Sequence, residues 1–243
     1  MMRRLSLCVG AIALLTFVAP SRASAQQSIN FYVGGFLPHG SSCDDLGQTN
    51  CLRDARGLDD VLYRNADFLD FLAKDFVGGT AGVEYLVGLG DFLDAGLGVG
   101  YYSRTSPAIH SLFTFKNGDP IEQDLRLRVV PFTATIRYLP LGHHDAITPY
   151  VGGGVGIYVW RYTETGDFVD SRNNIFSDTF VGNGSAVGPV ILVGLRAPIS
   201  NVGLGFEYRY QGGTGTLPAS EGFAGPKINL GGHNVLFTVN IGF

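Results

Sequence analysis

Lysine is nearly missing from this 243-residue chain, occurring only at positions 74, 116 and 227. A soluble exterior is normally dressed with lysine and glutamate, so a water-facing sheet surface is poorly provided for. There is no Gly-Lys dipeptide and no complete Gly-x-Gly-x-x-Gly despite 35 glycines, which excludes a phosphate-binding loop and a dinucleotide fingerprint. The absence of Cys-x-x-Cys removes thiol redox chemistry, and the absence of a Gly-x-Ser-x-Gly elbow removes one route to hydrolysis. No Asp-x-Asp-x-Asp-Gly calcium loop is present. Beyond residue 25 no run of 18 apolar residues exists, which excludes a transmembrane helix there. The membrane solution left is a closed β-barrel, because only helices and closed barrels satisfy every backbone polar group in lipid.

What the chain does contain fits that solution. Arg3 and Arg4 precede a 14-residue apolar stretch over 5–18, and Ala23-Ser24-Ala25 offers a small-residue cleavage site. Residues 1–25 are therefore expected to be a cleaved signal peptide, and 26–243 a single domain. Cleavage removes Arg3, Arg4 and Arg22 and no acid, leaving 14 bases against 21 acids and a formal charge of −7. That balance argues against nucleic acid as a partner. Cys43 and Cys51 remain, and in an exported chain such a pair is expected to form a disulfide closing a short loop rather than a metal site.

Alternation marks eight strands, roughly 28–38, 77–89, 92–105, 124–138, 148–161, 186–197, 201–211 and 233–243. Several approach the 9–11 residues that a tilted strand needs to cross a bilayer. In the seventh, Val202, Leu204, Phe206, Tyr208 and Tyr210 share one face, and Gly203, Gly205, Glu207, Arg209 and Gln211 the other. In the fourth, Leu125, Leu127 and Val129 are expected outward, followed by Phe132, Ala134, Ile136 and Tyr138, with a bulge at Val130-Pro131 absorbing the change of phase. Short connections alternate with long ones, the rhythm of periplasmic turns and external loops. The expected fold is thus all-β, an eight-stranded antiparallel up-and-down transmembrane β-barrel.

A soluble lipocalin-like barrel shows the same period with its greasy face inward, and the other face decides between them. Here that face is rich in glycine and carries opposed charges, Glu84, Asp94 and Glu207 against Arg126, Arg128, Arg137, Arg196 and Arg209, as a narrow interior would. Those eight residues are expected to form an interior charge network, either as structural packing or as the lining of a narrow gated path.

The long first loop, 39–76, holds the Cys pair and a short amphipathic helix expected over 58–75, with Asp59, Asp60, Asp67 and Asp70 on its solvated side. His143, His144 and Asp145 read as a hydrated turn. Glu164, Asp167, Asp170 and Asp178 read as a hydrated acidic loop, with shared divalent cations at a lipopolysaccharide surface as the alternative.

The chain ends HNVLFTVNIGF, a period-2 strand closing on an aromatic. Together with FYVGGFLP at 31–38 and PYVGGGVGIYVWRY at 149–162, this resembles the small bacterial outer-membrane barrels of OmpA-, OmpX- and OmpW-like type. The resemblance implies residence in the outer membrane among its lipid and lipopolysaccharide, and assembly by the barrel-assembly machinery reading Phe243. With no catalytic dyad or nucleotide loop in the sequence, no enzymatic activity and no cofactor are expected. A structural or surface-interaction role through the external loops, toward an extracellular ligand the sequence does not identify, is the leading expectation; a narrow solute channel is the alternative.

Overall fold

The computed structural model describes residues 27–43, 49–143 and 146–243. The signal peptide expected over 1–25 and the residues His144 and Asp145 lie outside them. Among the described residues there are eleven strands: β1 (Gln27–Pro38), β2 (Leu69–Asp70), β3 (Gly78–Gly88), β4 (Leu93–Thr114), β5 (Pro120–Tyr138), β6 (Thr148–Val169), β7 (Ile175–Ile199), β8 (Val202–Gln211), β9 (Thr214–Thr216), β10 (Lys227–Asn229) and β11 (Gly232–Gly242). Eight of them, β1, β3 to β8 and β11, form an antiparallel ring in which sequence neighbours pair. The ring closes where β1 meets β11, from Ser28 opposite Gly242 to Pro38 opposite Gly232. The expected eight-stranded up-and-down barrel is thus the observed one.

The apolar face points out. Leu97 and Phe206 are each 65% exposed, a position that only a lipid surround makes favourable. On β5 this belt runs from Tyr138 through Ile136, Ala134 and Phe132 to Val130. That is roughly 27 Å of strand and about 20 Å of height at a tilt of about 40°, close to the apolar band of outer-membrane barrels. Tyr101, Tyr208 and the half-buried Tyr210 face outward at its upper rim, with Tyr138 and Phe243 at the lower, where amphipathic rings favour the interface.

Two expectations about the upper barrel are corrected. The segments 106–123 and 162–185 are largely not loops: β4 with β5, and β6 with β7, continue as paired hairpins well above the belt, so four strands form a tall wall. Within that wall β5 does not change phase. Ile121, Gln123, Leu125, Leu127 and Val129 are buried inside, on the same side as Thr133, Thr135 and Arg137, while Arg126 and Arg128 are exposed outside. The register with β6 runs unbroken from Gln123 to Tyr138, so no bulge exists at Val130-Pro131. Pro131, which has no amide hydrogen, instead falls in a gap of the β4–β5 ladder between Val99–Phe132 and Tyr102–Val129. The polarity rule, not the pleat, inverts: lipid makes the exterior greasy below the rim, and water makes it polar above.

The first loop also differs from a single helix over 58–75. It folds as α1 (Thr49–Arg56), α2 (Val61–Asn65), strand β2 and a 3₁₀ turn (Ala73–Phe76). Asp60 ends the intervening turn and caps α2, accepting hydrogen bonds from the amides of Leu62 and Tyr63. Leu69 and Asp70 then pair with His110 and Ile109 of β4, which requires extended backbone and prevents one continuous helix. The Cys43–Cys51 disulfide joins the start of the loop to α1.

Candidate functional site: a lumen crossed by charge and closed by a plug

Midway through the belt, four charged side chains converge from three strands. Glu84 on β3, Arg137 on β5 and Glu207 and Arg209 on β8 are all almost fully buried. Arg137 bridges the two acids, pairing with Glu84 Oε2 and, at 2.9 Å, with Glu207 Oε2. Arg209 closes the ring, its Nη2 lying 2.7 Å from Glu207 Oε1 and 3.3 Å from Glu84 Oε2. Thr135 donates to Glu84 at 2.9 Å and Tyr150 to Glu207 at 3.1 Å. The rings of Tyr32 and Tyr150 each lie 5.0 Å from a guanidinium, of Arg209 and Arg137 respectively. The set is neutral and its oxygens are shared, which is what buried charge requires.

Glycine makes the room. A Cβ on Gly96 would stand 2.7 Å from Glu84 Oε1, and one on Gly194 would meet the Tyr150 ring at 2.4 Å. The glycine-rich lumen face is thus the counterpart of large charged side chains reaching across from other strands.

The other sequence-derived network residues lie elsewhere. Asp94 pairs with Arg196 at 3.5 Å near the lower end of the barrel, and His143 Nε2 lies 3.2 Å from its other carboxylate oxygen, so His143 turns inward instead of standing hydrated. Arg126 and Arg128, expected inside, are on the outer surface above the belt. Phe243 ends the chain on the exterior at 70% exposure, its amide donating to the carbonyl of Gln27.

Above the tetrad the interior turns apolar. Phe36, Tyr102, Leu125, Leu127, Val129, Tyr158, Trp160 and Tyr162 line it, and Val61, Leu62, Leu69, Phe76, Leu217 and Ile228 fill it from the first and last loops. The small β9–β10 hairpin lies inward against the wall; a Cβ on Gly215 would stand 2.4 Å from the Trp160 ring. Between tetrad and plug, a cavity lined by Tyr32, Thr80, Pro131 and Arg209 among others measures about 10 Å³. That is room for about one water.

One clasp, which sequence reading missed, locks the two loops together. Arg56 and Asp60 form a buried pair at 2.7 Å. Arg56 also donates to the carbonyls of His39 and Asn229, each at 2.9 Å. Asp60 Oδ2 accepts the Asn229 amide at 2.6 Å. Asp60 was expected on a solvated helix face; its place just before Val61-Leu62, an N-cap position, is the signal that could have assigned it otherwise.

A second tie joins α2 to the wall. Glu164, expected in a hydrated loop, is buried and accepts from Asn65 Nδ2 at 2.7 Å and from the Tyr162 hydroxyl at 2.8 Å. Burial pushes its carboxyl up, and the two donated hydrogen bonds offset only part of that. A raised value means the docked state holds the proton more tightly than the free one. Docking is therefore strongest in acid and weakens as pH rises from the ordinary carboxylate range through the raised value. Glu164→Gln keeps an acceptor and removes the charge, so it should hold the plug at neutral pH and flatten the pH dependence of amide exchange in Val61–Asn65; an unchanged slope would discard this account. Of the other acids of that hairpin, Asp170 organises the turn by accepting from the amides of Arg172 and Asn174, Asp167 on β6 accepts from the Ser177 hydroxyl across the hairpin, and Asp178 on β7 accepts from the amide of Thr179.

No family model and no curated protein matches the chain. Solved structures do. The outer membrane protein OprG from Pseudomonas aeruginosa is 9% identical, covering 92% of this chain and 98% of its own with a TM-score of 0.50. Neisserial surface protein A is 12% identical over 92% of this chain and 100% of its own, with a TM-score of 0.46. The outward belt, the closed ring and the likeness to OprG define one class, the small eight-stranded outer-membrane β-barrel. The chain has that fold.

Proposed function

We propose that this protein is a non-enzymatic, non-conducting barrel that acts through its extracellular wall. The observation carrying the reading is the doubly obstructed lumen, crossed by the Glu84–Arg137–Glu207–Arg209 tetrad and stoppered above it by the first and last loops. An interaction role draws support from the hairpin tips, where Leu112 is 75% exposed beside Phe113, far from the belt. Apolar side chains held in water on a rigid hairpin suit contact with another macromolecule. Planar-bilayer recording of the refolded protein tests the first half: closed traces are expected, and a steady open current would reject it in favour of a narrow solute channel.

Assembly rests on a separate feature. The exposed Phe243, immediately after the closing strand, suits recognition by the barrel-assembly machinery. Phe243→Ala should reduce the amount assembled in cells several-fold while leaving refolding into detergent unchanged; equal impairment in both would instead make Phe243 a packing residue.

A further inference from the structure

We infer that Arg126, Arg128 and Arg161 form a binding site for the phosphate of an outer-leaflet glycolipid, on the outside of the barrel. Arg128 and Arg161 stand directly opposite each other on β5 and β6, and Arg126 lies two residues further up the same face, opposite Thr163. Cross-strand neighbours have Cβ atoms about 5 Å apart, and like charges so placed destabilise a sheet. All three arginines are exposed, and none makes an ion pair among the described residues. Such a cluster asks for an anion.

Its height says which anion. The outward pair immediately below is Val130 opposite Val159, and below that Phe132 opposite Ile157, both in the apolar belt. One outward step is two residues, roughly 5 Å of height on a tilted strand. The guanidinium groups therefore sit where hydrocarbon gives way to head groups, and lipid acyl chains seated on Val130, Phe132, Ile157 and Val159 would bring a head-group phosphate to them. Around the arginines is a groove of about 480 Å³, completed by Thr105, Thr163 and Thr165, with Asp124 as its acid at the upper end. Hydroxyls and forked guanidinium donors suit a phosphate's oxygens, and arginine binds them bidentately where lysine would act as a point charge.

The test uses the whole signal-free protein and its R126Q/R128Q/R161Q variant, both refolded in a zwitterionic detergent and checked for folding by the heat-dependent shift in gel mobility. Each is mixed with bisphosphorylated lipid A, with fully dephosphorylated lipid A, or with inorganic phosphate, and bound molecules are counted by native mass spectrometry. Expected are retention of the bisphosphorylated lipid by the wild type, at least tenfold less by the variant, and little of the dephosphorylated lipid by either. The R126K/R128K/R161K variant, which keeps charge and loses the fork, should fall between. Equal retention by wild type and glutamine variant would overturn the site. Displacement of the lipid by millimolar inorganic phosphate would overturn the lipid as its ligand, because acyl contacts with the belt would then contribute nothing.

Discussion

Glu207→Ala will lower the resistance of the barrel to unfolding in detergent more than any other single change in the lumen. Glu207 accepts from Arg137, Arg209 and Tyr150, so its loss leaves two guanidinium groups sharing Glu84 and a tyrosine hydroxyl without its acceptor. Breaking a buried pair by removing one partner typically costs about 3–5 kcal/mol, most of it the uncompensated charge that remains. The origin of the loss can be separated from lost packing. Glu207→Gln keeps the volume and should still be strongly destabilised, whereas E207Q/R137M restores neutrality by removing one charge of each sign and should recover part of the loss. The readout is the midpoint of denaturant unfolding followed by tryptophan fluorescence and by gel mobility. Wild-type midpoints for Glu207→Ala, or additive losses in the double variant, would reduce the tetrad to a set of neighbours without energetic coupling.

The tetrad also shows what could be read from the chain and what could not. Val202 to Gln211 alternates strictly, so Glu207 and Arg209 fall on the glycine side, and the absence of lysine on that side separates a lumen from a soluble exterior. The same rule misplaces Arg126 and Arg128. Leu125, Arg126, Leu127, Arg128 and Val129 alternate just as cleanly, but they lie above the bilayer, where the inside is a greasy core and the outside is water. Period alone reports two faces; which of them is interior depends on height relative to the lipid, which no local pattern records. The disulfide was accessible because Cys43 and Cys51 lie eight residues apart in sequence. The clasp between the first and last loops was not, since Asp60 and Asn229 are separated by 169 residues, and the N-cap position of Asp60 points to its own helix and not to so distant a partner.

Asp60→Ala should release the plug while leaving the transmembrane ring intact. Its carboxylate receives the Arg56 guanidinium, the capping amides of Leu62 and Tyr63, and the Asn229 amide, so a single truncation unties α1, α2 and the β9–β10 hairpin at once. Arg56 would remain buried with two backbone carbonyls and no counter-charge. The loss, about 3–5 kcal/mol by the same reasoning as for the lumen pair, exceeds what the small docked elements can offset locally. It should therefore appear as local opening: faster amide exchange over Thr49–Arg56 and Val61–Asn65, and protease cutting there in whole cells, with little change in the global unfolding midpoint. The tetrad lies below the plug and makes none of these contacts, so Asp60→Ala alone should stay electrically silent, and E207A/D60A is the combination expected to pass current. An open channel in Asp60→Ala by itself would mean that the plug, not the tetrad, is the barrier to ions. Unaltered exchange in both helices would mean that the apolar seat of Val61, Leu62 and Ile228 suffices to hold the loops without the clasp.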